Sequence, residues 1–135
     1  MQDNFAIYPS LKNMTVFVTG GASGIGEQIV RAFVSQGSKV GFIDFDKEAS
    51  EKLNDNLIGK LDFEICDLTE LDNLTQAFHS LRKKIGQPAV LVNNAARDDR
   101  HHWKEVTPEY FDNRIAMNLK HQFFSIQAVA PDMIE

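Results

Sequence analysis

Four short runs rich in β-branched and aromatic residues alternate with four stretches of helical periodicity, and nothing else in the 135 residues restricts the fold so severely. The runs cover 14–19 (MTVFVT), 39–44 (KVGFID), 61–66 (LDFEIC) and 89–93 (AVLVN). Parallel strands need a crossover of a dozen or more residues, and each helical stretch supplies one. The expectation is a single α/β domain, β-α-β-α-β-α-β-α, built on a doubly wound parallel sheet. Right-handed crossovers give the strand order 3-2-1-4, with strand four left as an edge.

Punctuation supports this reading. In the first helix Ile25, Ile29, Ala32 and Phe33 are expected to share the apolar face, with Gly37 just past its end. Asp46 is placed as N-cap of a weak second helix reaching about Leu57, with Gly59 after it. Thr69 is expected to cap the third helix with Asp72 at N3, and Leu71, Leu74, Ala77, Phe78, Leu81 and Ile85 repeat along its buried face before Gly86. Thr107-Pro108-Glu109 is a helix start, an N-cap followed by proline and an acid. The helix is expected over 108–130. Ile115, Leu119 and Ile126 form one apolar stripe on it and Met117, Phe124 and Ala128 another, so it should pack against two layers, one of them a partner subunit or further chain.

Composition excludes several classes. Fourteen Lys and Arg against nineteen Asp and Glu leave a net charge of −5, the wrong sign for a nucleic-acid partner. Residues 1–10 lack the basic start and long apolar stretch of a secretory leader, and no run of eighteen apolar residues offers a membrane span. The cytoplasm is the expected compartment. Cys66 is the single cysteine and reads as a buried structural thiol. No metal site is expected, because His101 and His102 are adjacent on a loop and lack a third ligand at a set spacing. His79 and His121 fall on helices with polar neighbours and carry no assigned role.

Chemistry concentrates where the first strand meets its helix. Thr19-Gly20-Gly21-Ala22-Ser23-Gly24-Ile25-Gly26 would let a pyrophosphate approach bare backbone and the positive end of a helix. Asp44 follows eighteen positions after Gly26, at the C-terminal end of the second strand, where a carboxylate can accept from adenosine ribose hydroxyls. The same charge would repel a 2′-phosphate. Neither Ser23 nor Phe45 supplies the cation that such a phosphate needs, so NAD is expected rather than NADP.

The Gly-x3-Gly-x-Gly spacing after Thr19, Asp67-Leu68 after strand three, Asn93-Asn94-Ala95-Ala96 after strand four and Asn118 in the long helix occur in one order along nearly the whole chain. With them the sequence resembles the short-chain dehydrogenase/reductase family. The resemblance implies a Rossmann-like fold, with Gly20, Ser23, Gly24, Ile25 and Gly26 around the pyrophosphate and Asp44 on the ribose. It puts Asp67 and the Leu68 backbone at the adenine, and Asn94 and Ala95 beside the nicotinamide-side ribose. It implies that Asn118 occupies a local break of the helix as the one member present of a catalytic Asn-Ser-Tyr-Lys tetrad. The plainer alternatives from the residues alone are Asp67 as a turn residue, Asn93 and Asn94 as groups bonding the turn, and Asn118 as a core asparagine satisfied by backbone.

A narrower resemblance, carried by 6–11 (AIYPSL), 97–101 (RDDRH) and 127–131 (QAVAP), is to the NAD-dependent sugar 1-dehydrogenases of the D-xylose type, which oxidise an aldose to its lactone. It implies a small-molecule sugar or alcohol substrate, and a homo-oligomer formed through the long helix. Ala96 stands where the family usually has glycine, and its methyl is expected to crowd the nicotinamide or the loop. The family's Ser and Tyr-x-x-x-Lys are expected beyond Glu135. Tyr8 precedes the first strand and Tyr110 has Arg114 four residues on, so neither stands in for the base. The 135 residues by themselves are therefore expected to bind cofactor without turnover. The rival readings are a catalytically inactive NAD-binding or assembly module, and a packing domain whose glycine loop is a relic.

Overall fold

The computed structural model describes residues 6–134, so the reading of residues 1–10 falls partly outside it. Four strands, β1 (Thr15–Thr19), β2 (Lys39–Asp44), β3 (Leu61–Ile65) and β4 (Val90–Asn93), form a parallel sheet in the order β3-β2-β1-β4. Thr19 is in register with Ile43 on one side and Asn93 on the other, and Asp44 with Ile65. All four strands therefore end along one edge. The chain leaves β1 toward β2 and β3, then returns to β4 on the opposite side, so the crevice between the loops after β1 and β4 is where such sheets accept ligands.

The helices are α1 (Gly24–Ser35), α2 (Lys47–Asn56), α3 (Leu71–Ile85), α4 (Pro108–Ile115) and α5 (His121–Ile134). One face of the sheet packs Val16, Val18, Val40 and Phe42 against Val30 of α1 and Leu53 of α2. The other packs Phe17 and Ile43 against Leu74, Phe78 and Leu81 of α3 and Val129 of α5. Rings stack on both, Phe42 on Phe63 at 5.6 Å and Phe17 on Phe78 at 5.9 Å. Central strands buried on both faces are why β1 and β2 read as continuous apolar runs.

Local chemistry set several boundaries as expected. Asp46 accepts from the Ala49 amide and Thr107 from the Tyr110 amide, each capping its helix. Three of the expected helix features differ. Thr69 does not cap α3, because Asp67 Oδ1 holds both its amide and its hydroxyl and Glu70 becomes the N-cap. Ile25 is 76% exposed and Ala32 is exposed, while Gly26 and Val30 are buried, so the inward face of α1 is rotated from the one read off the largest apolar residues. The long helix does not stop at Ala130. It continues to Ile134 with Pro131 inside, tied to α3 by Arg82 Nε on Asp132 Oδ2 at 2.7 Å and Arg82 Nη2 on the Ala128 carbonyl at 3.0 Å.

Between α4 and α5 the chain widens into one π turn, Ala116–Lys120, at the place where the resemblance implied a break. Phe111, Ile115, Leu119, Phe123 and Ile126 are all exposed on one side of this assembly. His121 behaves unlike the expectation from its polar sequence neighbours. Its side chain is fully buried, and neither ring nitrogen has a hydrogen-bond partner among the described residues. No described helix is long and apolar enough to cross a membrane.

Candidate functional site: a cleft at the carboxyl edge of the sheet

The loops after the four strands enclose a cleft of about 660 Å³. Of the residues expected to hold a cofactor, Gly20, Ser23, Ile25, Gly26, Asp44, Asp67, Leu68, Asn94 and Ala95 line it, whereas Gly24 does not; Asn118, expected as a catalytic residue, is also outside the lining. The residues of β2 and β3 form its outer end, those following β4 its inner end, and the glycine loop of β1 its floor between them.

Gly20 and Gly26 leave main chain bare on that floor for steric reasons. A Cβ at Gly26 would overlap the Gly20 carbonyl oxygen, and Gly24 adopts φ +56, a left-handed backbone that side chains resist. Ser23, the N-cap of α1, makes no side-chain capping bond. The amides of the first helical turn have no intrahelical acceptor, so donors and the positive end of the helix dipole face the cleft together. This is the arrangement that suits an anion.

Asp44 is 6% exposed at the end of β2. Its Oδ2 accepts from the Ala22 amide at 2.9 Å and its Oδ1 from the Asp46 amide at 3.0 Å, which aims the carboxylate and ties the glycine loop to β2. An ionised carboxylate accepts about four hydrogen bonds, so two acceptor positions are left for hydroxyls. Asp67 is exposed beside it, and Leu68, a buried core residue, lines the same end of the cleft. Cys66 also lines this end. Its thiol donates to the Asp67 carbonyl at 3.2 Å, and burial, then the charges of Asp67, Glu64 and Glu70, push it up to about 11. Its side chain is buried, in keeping with the structural reading.

At the inner end, Asn94 Nδ2 donates to the Thr19 and Gly20 carbonyls at 3.1 and 2.9 Å. The Asn94 and Ala95 amides donate to the Thr19 hydroxyl at 3.1 and 3.2 Å. The fully buried Thr19 thus joins the loops after β1 and β4, a role the sequence reading missed although Thr19 opens the glycine motif. Ala96 lies on the cleft wall without left-handed backbone, since Asn13 and Ile58 are the described non-glycine residues with positive φ. Asn118, in the π turn, accepts from the Arg97 amide at 2.8 Å and donates to the Arg97 carbonyl at 3.0 Å. Both halves of its carboxamide are satisfied by one residue of the cleft wall. Phe45, Cys66, Ala96, Arg97 and Met117 line the cleft without having been singled out for it. Phe45, Cys66, Ala96 and Met117 are each adjacent in sequence to an expected site residue, and Arg97 lies two positions after Ala95.

The family model for short chain dehydrogenases matches residues 14–135. The chain belongs to that family. D-xylose 1-dehydrogenase of Caulobacter vibrioides is 45% identical over 131 residues, covering 95% of this chain and 51% of that protein. A probable galactose dehydrogenase of Rhizobium meliloti is 42% identical over 130 residues, covering 93% of this chain and 51% of that protein. Among solved structures, the ligand-free aldohexose dehydrogenase of Thermoplasma acidophilum superposes with a TM-score of 0.82 at 28% identity, over 94% of this chain and 47% of that one. A double mutant of a Serratia marcescens short-chain dehydrogenase/reductase does so with a TM-score of 0.86 at 28% identity, over 93% and 53%. This short-chain dehydrogenase sequence spans about half the length of the curated relatives it matches.

Proposed function

We propose that residues 1–135 form one NAD-binding domain, the cofactor half of a cytoplasmic enzyme that oxidises a sugar, or another small alcohol, at the expense of NAD. The single observation that carries this reading is the pairing of bare α1 amides with the buried, aimed carboxylate of Asp44 across one cleft. The amides suit a diphosphate, and Asp44 suits a free ribose diol while repelling a 2′-phosphate. In this reading Asp67 and the Leu68 main chain border the adenine, and Asn94 and Ala95 border the second ribose. When bound, the nicotinamide ring supplies the hydride acceptor.

The chain's own residues bind and orient, and among the described residues no tyrosine or lysine lines the cleft. Tyr110 donates its hydroxyl to the Asp99 carbonyl at 3.1 Å and, like Tyr8, is not among the residues lining the cleft. Asn118 acts in this scheme through the helix break and the Arg97 main chain. The sugar comes from the two dehydrogenase relatives and from the narrower resemblance. The exposed stripe from Phe111 to Ile126 supports a homo-oligomeric enzyme.

Calorimetric titration of the folded chain with NADH and NADPH tests the cofactor. NADH is expected to bind and NADPH to bind far more weakly, and Asp44→Ala is expected to narrow that difference. Absence of heat with either nucleotide, from material with intact circular dichroism, overturns the proposal.

A further inference from the structure

The segment after Ala96 is fastened at three successive points to the helical assembly behind it. Asn118 clamps the Arg97 main chain on both sides. Asp99 Oδ2 takes Arg97 Nε and Arg114 Nη2, each at 2.9 Å, while the Asp99 carbonyl accepts the Tyr110 hydroxyl. The His101 ring stacks on Tyr110 at 4.2 Å, and the Arg114 guanidinium lies over the same ring at 4.7 Å, so Tyr110 contacts both an imidazole and a cation. Arg114 is 17% exposed, against 59% for Arg97 and 48% for Asp99. Its contact is the better shielded of the two on that carboxylate, and therefore the stronger.

Polar loops of this length ordinarily sample many conformations, and ordering one on binding costs affinity. Here the order is imposed from α4. We propose that Arg114 and Tyr110, neither of which lines the cleft, are positioning residues for the inner half of the cofactor. Through Asp99 and His101 they fix the 97–101 segment, and with it the wall formed by Asn94 to Arg97, before a ligand arrives. The inference rests on the reading of the cleft as a dinucleotide site and adds a claim about which half of the ligand these residues serve.

Because the outer end of the cleft is built from β2 and β3, it lies outside this fastening. ADP carries only the adenosine and diphosphate, whereas NADH also carries the second ribose and the nicotinamide. Asp99→Asn, on an exposed loop, and Arg114→Gln are each expected to raise the NADH dissociation constant about tenfold, equivalent to about 1.4 kcal/mol, and to leave that of ADP within about twofold. The double variant is expected to be little worse than either single one, because both remove the same contact. Tyr110→Phe, which deletes one hydroxyl, should give a smaller shift of the same kind. An unchanged NADH-to-ADP ratio in Asp99→Asn and Arg114→Gln, in chains that bind both ligands, overturns this inference alone. Binding of neither ligand by the parent chain overturns the dinucleotide reading and this inference with it.

Discussion

Gly26 lies in the first turn of α1, where an added Cβ would overlap the Gly20 carbonyl oxygen and stand 2.6 Å from Asn94 Nδ2. The carbonyl cannot yield alone, since it accepts from that same Asn94 amide at 2.9 Å. Relief requires the glycine loop or the helix start to move, an overpacking cost of about 1–3 kcal/mol. It also strains or breaks the Asn94 bond, at about 1 kcal/mol. Gly26→Ala is therefore expected to destabilise the fold by about 3 kcal/mol. Gly24→Ala is the control, because a Cβ there meets nothing within 4 Å and the cost is the left-handed backbone alone. That cost is about 1–2 kcal/mol. With a urea slope of about 2 kcal/mol per molar, the unfolding midpoint should fall by about 1.5 M for Gly26→Ala and by about half that for Gly24→Ala. Urea titration followed by circular dichroism measures both. A Gly26→Ala midpoint at or above that of Gly24→Ala would refute the overlap argument.

Burial holds the His121 ring below its ordinary value of 6.5, against the opposing pull of the Met117 and Ala116 carbonyls. The unfolded chain therefore takes up the proton first, and the native state loses stability as the pH falls below about 6.5, by up to about 1.4 kcal/mol per pH unit until the folded value is passed. His121→Leu should flatten this acid limb in urea midpoints taken between pH 7.5 and 5.5, and an unaltered limb would show that His121 is not its source. For Cys66, a thiol at about 11 is almost wholly protonated at pH 8. Its reaction with an aromatic disulfide reagent should run roughly a hundredfold slower than that of a free cysteine and accelerate with rising pH. Labelling at the rate of a free thiol would contradict its buried position.

Strand order, the bounds of β2 and the buried face of α3 were legible because each rests on a long periodic signal or on right-handed crossovers. The Asp46 and Thr107 caps were legible for a local reason, a short acceptor just ahead of a helical run. Thr69 has the same signature and fails because a carboxylate two residues back competes for its hydroxyl, and sequence spacing does not rank those two partners. The long helix was expected to end at Ala130, yet the Arg82 contacts to Ala128 and Asp132 hold one further turn in place. The glycine loop and Asp44 announce themselves by residue type. Thr19, Met117 and the Asp99–Arg114 contact do not, because their positions depend on which loops tertiary packing sets side by side.

The hydroxyl of Thr19 takes main-chain donors from the far side of the cleft, and the Asn94 side chain returns the gesture to the glycine loop. Opposite banks of the crevice are thus bolted to each other by folding itself. Fixing a residue's backbone costs about 1–2 kcal/mol, and that entropy is already lost before any nucleotide diffuses in. The association should accordingly be rapid, with little rearrangement and no slow isomerisation phase in stopped-flow traces.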